Sequence, residues 1–157
     1  MIVPYLYYVL SNDADVFEVS YDHGRVLVWS SAIPGCGGDA VYCHCRDCQR
    51  ASGTGHIPVM GMPKSSFTVR GETKGYAVRG TSGLSAVRHF CPTSGSLLFG
   101  TSEVAPDAVS LYVGTLDEPS VFQPEAVLFK RERYRWDVIA GALPKFEKMP
   151  SAATNAK

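Results

Sequence analysis

The chain has 157 residues with 15 basic and 15 acidic side chains, so its formal net charge at pH 7 is zero. This balance provides neither a basic field for nucleic acid nor a polybasic stretch for a membrane surface. A hydrophobic content of 45% and a charged content of 19% are typical of an ordinary globular protein, and the length predicts a single domain.

The first notable segment is the apolar run of residues 2–10, which is too short to span a bilayer and lacks the positively charged leader of a signal peptide. Because the run is rich in tyrosine, we interpret it as an extra strand or as a contact segment of a homodimer. Five cysteines, an odd number, without an export signal indicate a cytoplasmic protein. We therefore divide the chain into an N-terminal extension (1–15), one domain (16–149) and a frayed tail (150–157).

Within the domain, short runs of β-branched and aromatic residues alternate with Gly, Pro, Ser and Asp, which is the pattern of many short strands. The predicted strands are 16–20, 25–29, 40–43, 56–60, 67–70, 75–78, 86–90, 97–100, 110–113 and 126–129. Helical patterns are limited to a turn or two after Arg46, one after Asp117 and one that includes Trp136, which we expect to pack in the core. The pattern predicts a mostly β domain of antiparallel sheets with short helical turns.

Three cysteines lie within six residues, at Cys43, Cys45 and Cys48. The sulfurs around a tetrahedral zinc ion lie about 3.8 Å apart. Residues two apart in an extended segment point to the same side, so Cys43 and Cys45 can reach one ion, and a turn at Arg46-Asp47 can bring Cys48 to it. A fourth protein ligand would make the site structural, whereas an open position would let a substrate bind.

Other interpretations of the cluster are a redox Cys-x-x-Cys pair and inert buried thiols. A redox pair usually opens a helix, but Gly53 and Gly55 interrupt any helical pattern soon after Cys48. Cys36, in a loop with several glycines, could bend toward the cluster and close it as a fourth ligand. The other interpretation of Cys36 is an unligated loop thiol.

The sequence CHCRDCQRASG (residues 43–53) resembles the central motif of the glutathione-dependent formaldehyde-activating enzyme family, which also includes centromere protein V-like domains. HFCPTSGSLLF (89–99), VGTLD (113–117) and residues 136–144 resemble further segments of that family. The resemblance implies a β-tent fold, zinc bound by cysteines, and the addition of glutathione to formaldehyde to give S-hydroxymethylglutathione.

The resemblance also implies a second, structural zinc site with four cysteine ligands. This chain has Tyr21, His23, Cys91 and Ser94 at the corresponding positions. Only His23 and Cys91 are good zinc ligands, and two ligands rarely hold a structural ion. We therefore expect this second site to be lost and the chain to bind one zinc ion, at Cys43, Cys45 and Cys48.

Three thiolates around Zn²⁺ give a site of formal charge −1, which suits the binding of a thiol better than the production of hydroxide. Arg46 and Arg50 flank the cluster and are candidates to balance its charge and to bind substrate, although surface salt bridges would explain them equally well. Ser52 and Gly53 are further substrate-binding candidates because they shape the turn after the cluster. His44 should point away from the metal and support the loop.

Two functions follow from these observations. The first is a zinc-dependent carbon–sulfur lyase, similar to S-(hydroxymethyl)glutathione synthase, that acts on the adduct of a small thiol with a small aldehyde. In this enzyme Cys43, Cys45 and Cys48 form the catalytic centre. The second is a non-catalytic zinc-binding module that has a degenerate second metal site and mediates protein interaction.

Overall fold

The computed structural model describes residues 17–22, 25–29, 40–69, 71–80, 82–116 and 119–150, with side-chain detail from residue 40 onward. Within these ranges the chain forms ten strands and one α-helix, α1 (Arg46–Ser52). The strands are β1 (Phe17–Asp22), β2 (Arg25–Trp29), β3 (Ala40–Cys43), β4 (Ile57–Pro63), β5 (Phe67–Val69), β6 (Lys74–Arg79), β7 (Ser85–Phe90), β8 (Leu97–Ser102), β9 (Ala105–Tyr112) and β10 (Ala126–Leu128).

These strands form two sheets, and the prediction of a mostly β domain is confirmed. The larger sheet has seven strands in the order β10-β3-β4-β9-β8-β7-β6, and the smaller has three in the order β2-β1-β5. Most neighbouring strands are antiparallel, as predicted, but β3–β10 and β1–β5 are parallel pairs. Both parallel pairs join strands that are distant in the chain, so local sequence patterns could not reveal them.

One face of the larger sheet carries the main hydrophobic core. The register pairs Leu111 of β9 with Phe99 of β8 and with Met60 of β4, and β5 packs against this cluster through Phe67 and Val69. The buried members of the cluster are Met62, Cys91, Leu98, Phe99, Val109, Leu111, Val113 and Leu116. Because side chains alternate along a strand, the residues between these positions point to the opposite face.

The opposite face of the sheet positions the candidate site. Gly100 of β8 is paired with Arg88 of β7 and with Ser110 of β9. Ser110 lies two positions before Tyr112, so both residues face the same side of the sheet. Tyr112 is paired with Val59 of β4, and Val59 is paired with Val41 of β3. Cys43 lies two positions after Val41 and therefore faces the same side of the sheet. Cys43, Tyr112 and Arg88 therefore face the same side of the sheet, although they are distant in sequence.

The segment after β10 returns alongside β10. Val127 forms a bridge with Lys145, and the backbone N–H of Lys130 donates to the carbonyl of Phe146.

The expectation that Trp136 packs in the core is wrong: its side chain is 66% exposed and stacks on Tyr134. Among the described residues, no helix has the length and apolar character required to cross a membrane.

Candidate active site

The structure brings the three predicted metal ligands together. The Sγ atoms of Cys43, Cys45 and Cys48 all lie within 4.8 Å of one another. Cys43 ends β3, and Cys45 is the N-cap of α1, where its Sγ accepts a hydrogen bond of 3.4 Å from the backbone N–H of Cys48. Helix α1 supplies the turn or two predicted after Arg46 and holds Cys48 against the end of the strand.

The chemistry of these three thiols fits a cation. Hydrogen bonds from Cys43 and Cys48 lower the pKa of Cys45 to about 2. The pKa of Cys43 is raised by its contacts with Cys45 and Cys48 and by burial. For Cys48, the contact with Cys43 lowers the pKa, but the contact with Cys45, burial and the charge of Cys45 raise it to about 12. Without a cation one thiolate suppresses the ionisation of its neighbours, so a thiophilic ion such as zinc suits this donor set.

Helix α1 is held in place by a buried glutamine rather than by its own propensity. The Nε2 of Gln49 donates to the carbonyl of His44 at 2.7 Å and to the carbonyl of Glu132 at 2.9 Å. The backbone N–H of Arg46 donates to a carboxylate oxygen of Glu132 at 2.8 Å. The cysteine cluster is therefore attached to the segment that follows β10.

The predicted substrate-binding residues take different positions around the cluster. The Arg46 side chain contacts the side chain of Gln49 and lies over the ring of Tyr134, 5.6 Å from its centroid. Arg50 lines an open groove beside α1 and also forms the surface salt bridge given as the alternative, since its Nη1 lies 3.8 Å from Oδ1 of Asp47. Ser52 donates to the carbonyls of Gln49 and His56, and Gly53 ends the helix with φ 70°. Ser52 and Gly53 thus shape the turn, as their residue types suggested.

The groove has a volume of about 430 Å³ and lies between α1 and strands β6, β7 and β8 of the larger sheet. Its lining includes three charged side chains, those of Asp47, Arg50 and Arg88. Asp47, one of these lining residues, directly precedes Cys48 in α1, so one end of the groove lies beside the cysteine cluster. The other lining residues are Ala51, Tyr76, Val78, Phe90 and Leu97.

Tyr112 is a site residue that the sequence did not indicate. Its side chain is buried, and burial raises the pKa of its phenol to about 12, while a hydrogen bond and the charge of Arg88 act in the opposite direction. Tyr112 faces the same side of the sheet as Cys43, and the charges of Cys48 and Cys43 also raise the pKa of its hydroxyl. A Cβ atom at Gly100 would lie 3.0 Å from the Tyr112 oxygen, so the glycine leaves room for the hydroxyl.

Behind the cysteine cluster lies a second group of polar side chains, His44, His56 and Asp137. The Nε2 of His44 lies 3.0 Å from Oδ2 of Asp137, and the Nδ1 of His56 lies 3.0 Å from both carboxylate oxygens. A Cβ atom at Gly55 would lie only 2.2 Å from Oδ2 of Asp137, so only glycine fits there. No signal in the sequence links Asp137 to two histidines that lie about eighty to ninety residues earlier.

His44 was expected to support the loop by hydrogen bonding. The residue is 0% exposed, and burial lowers the pKa of its imidazole although the charge of Asp137 opposes this. Its backbone N–H donates to the carbonyl of Leu128, but neither ring nitrogen makes a hydrogen bond of regular geometry with any described residue. The backbone of His44 therefore supports the loop, whereas its ring approaches Asp137 without a hydrogen bond of regular geometry.

The positions of the predicted lost zinc site are only partly described. Cys91 is buried in the core, and its Sγ accepts a hydrogen bond of 3.4 Å from the backbone N–H of Ser94. The side chain of Ser94, followed by its backbone N–H, lowers the pKa of the thiol. Cys91 belongs to neither of the metal-ligand groups found among the described residues. The side chain of Tyr21, all of His23 and the loop with Cys36 lie outside the described part of the chain.

Comparison with known proteins identifies the family. The model of the glutathione-dependent formaldehyde-activating enzyme family matches residues 32–132, more than half of the chain. The chain belongs to this family. No curated protein matches it. The part that matches the formaldehyde-activating enzyme family includes the cysteine cluster, the whole groove and Tyr112, but it ends before Asp137.

Proposed function

We propose that this protein is a zinc-dependent enzyme of the carbon–sulfur lyase type that adds glutathione to formaldehyde. In this reaction the sulfur forms a bond to the carbonyl carbon, and the thiol proton ends on the carbonyl oxygen. Membership of the family supports a thiol-adduct chemistry of this kind. The observation that carries the choice of glutathione is the charge pattern of the groove beside the cysteines.

That charge pattern is complementary to glutathione. The groove carries two guanidinium groups, of Arg50 and Arg88, and one carboxylate, of Asp47. Glutathione carries two carboxylates and one ammonium group, and guanidinium–carboxylate pairs are among the stronger hydrogen-bonded contacts in proteins. Because Asp47 and Arg50 flank Cys48 on α1, a tripeptide in the groove would have its thiol beside the cysteine cluster.

The roles of the chain's own residues follow from this placement. Cys43, Cys45 and Cys48 would hold the zinc ion, which when bound lowers the pKa of a thiol that reaches it. The groove holds glutathione in one orientation, which makes the encounter of sulfur and aldehyde effectively intramolecular. Tyr112, whose hydroxyl stays protonated at neutral pH, donates a hydrogen bond to the carbonyl oxygen as negative charge develops there.

The test of this function is the rate of exchange between free and glutathione-bound formaldehyde, measured by NMR with ¹³C-labelled formaldehyde. We expect metal-loaded protein to accelerate this exchange above the uncatalysed rate in a concentration-dependent manner. A rate equal to that of buffer, with protein that is folded and fully loaded, would favour the non-catalytic zinc-binding module instead.

Replacing Tyr112 with phenylalanine should lower kcat about a hundredfold, because a hydrogen-bond donor to the developing oxyanion is lost. The KM for glutathione should stay nearly unchanged, since Tyr112 does not line the groove. Steady-state kinetics of the two variants Tyr112→Phe and Tyr42→Phe provide the comparison. Tyr42 packs edge-on against His56 and Phe122, so its hydroxyl should not affect kcat. Equal kcat values in the two variants would contradict the role of Tyr112.

Replacing Arg88 with methionine should raise the KM for glutathione about tenfold or more, because a hydrogen bond to a charged group contributes about 1.5–3 kcal/mol. The KM for 2-mercaptoethanol, which has no carboxylate, should not change. Arg79→Met is the matched control, since Arg79 lies on neighbouring β6 but outside the groove. If both thiols lose affinity to the same extent, Arg88 does not recognise a carboxylate.

A further inference from the structure

A second group of metal-ligand atoms lies among the described residues and is distinct from the cysteine cluster. It consists of the imidazoles of His44 and His56 and the carboxylate of Asp137, whose donor atoms all lie within 4.8 Å of one another. The group is mostly buried, with side-chain exposures of 0% for His44, 22% for His56 and 9% for Asp137. From this geometry we infer that these three side chains form a binding site for a divalent transition-metal ion.

The distances within the group agree with ligands in adjacent positions around one ion. Ligand atoms about 2.1 Å from an ion and at right angles to each other lie about 3.0 Å apart. The Nε2 of His44 and the Nδ1 of His56 each lie 3.0 Å from Oδ2 of Asp137. A hydrogen-bonded His–Asp–His arrangement would have the same distances, so distance alone does not decide.

The orientation of the His44 ring is the observation that decides between a metal site and a hydrogen-bonded arrangement. Despite the separation of 3.0 Å, its Nε2 makes no hydrogen bond to Asp137, because the N–H direction departs too far from the line to the oxygen. For two ligands at right angles around one ion, the nitrogen lone pair points about 45° away from that line. Nδ1 of the same ring also makes no hydrogen bond of regular geometry with any described residue. Leaving buried polar atoms unpaired is costly, and a metal ion at Nε2 would remove part of that cost.

The donor set indicates the class of ion. Two imidazole nitrogens and one carboxylate are typical ligands of Zn²⁺, Fe²⁺ or Co²⁺, whereas Mg²⁺ and Ca²⁺ prefer oxygen alone. The partial exposure of His56 gives the ion a path from solvent. The ion would join β3 and β4 to the segment after β10 and would be additional to the zinc expected at the cysteines.

The test uses the full-length protein and separates the two sites by the softness of their ligands. One equivalent of Cd²⁺ is added first, because thiolates prefer soft ions, and Co²⁺ is then titrated. We expect one equivalent of Co²⁺ to bind with d–d absorption but without a thiolate-to-cobalt charge-transfer band. The readout is an absorption spectrum, so the result does not depend on catalytic activity.

Variants assign the bound Co²⁺ to the three side chains. Asp137→Asn and His56→Ala should each weaken the binding at least about tenfold. His89→Ala should leave it unchanged, since His89 also has an unpartnered buried nitrogen but stacks on Phe99, away from the group. Asp137→Asn preserves the shape of the side chain. It can therefore still assign the Co²⁺ site if circular dichroism shows that the His56→Ala variant is unfolded. The absence of bound Co²⁺ in the Cd²⁺-loaded protein, or Co²⁺ that binds equally well in Asp137→Asn, would overturn the inference.

Discussion

Replacing Cys45 and Cys48 together with serine should abolish thiolate-to-metal binding and lower activity at least about a thousandfold, because a metal ion typically supplies several kcal/mol of transition-state stabilisation. In Co²⁺-substituted wild-type protein, the charge-transfer intensity should correspond to three sulfurs. The double variant should lose this band. The three Sγ atoms are close enough to share one ion, so the loss of two of them leaves a single thiolate that cannot retain it.

The matched control is Cys91→Ala. Cys91 is also a buried free cysteine, but it lies in the core beneath the sheet and apart from the cluster. This variant should lose some stability and keep both the charge-transfer band and the activity.

Cys36→Ser should also keep the three-sulfur intensity, because we propose that the fourth position is open to thiol. Four-sulfur intensity in the wild type that falls to three in Cys36→Ser would contradict an open position.

Replacing Gly55 with alanine should destabilise the protein by about 2–3 kcal/mol, the upper part of the range for inserting an extra methyl group into a packed site. The new Cβ atom would lie 2.2 Å from Oδ2 and 2.3 Å from Cγ of Asp137, so the carboxylate would have to leave both histidines. For a protein of this size, the expected fall in Tm is about 4–12 °C.

Gly114→Ala is the control for this substitution. A Cβ atom at Gly114 would meet nothing within 4 Å, so its Tm should change by no more than that of an ordinary surface substitution. Thermal unfolding followed by circular dichroism measures both variants. If Gly55→Ala and Gly114→Ala unfold at the same temperature, the close approach of Asp137 to Gly55 is not a feature of the folded protein in solution.

The parts of the site that could be predicted from the sequence are those whose geometry is local. Cys43, Cys45 and Cys48 lie within six residues, so the end of one strand and the first turn of one helix are enough to bring them together. Tyr112 and Arg88 reach the same face only through the register of β9, β8 and β7. Register depends on the packing of the whole sheet, which composition and alternation in single segments do not specify.

The strands were predicted correctly where the local residue types favour a strand, and their bounds were missed where pairing with other strands decides. The run 75–78 lies within β6, and the run 86–90 within β7, because both have clear β-branched and aromatic character. The prediction of 110–113 misses the first half of β9, where Pro106 and Asp107 are turn-forming residues by type. That half is exposed at the edge of the core and is held by pairing with β8 rather than by its own propensity.

The contacts of α1 with the segment after β10 have a consequence for how the protein acquires its metal during synthesis. Gln49 and Arg46 are held by the backbone and side chain of Glu132, and His44 is held by the carbonyl of Leu128. These contacts join residues more than eighty positions apart, and such long-range contacts form late because the chain between them must first be ordered. A nascent chain that has left the ribosome only as far as β9 therefore presents its three cysteines without the contacts that hold α1 in place. Stable metal loading should consequently follow the emergence of the last fifth of the chain, and truncation before Glu132 should yield metal-free protein.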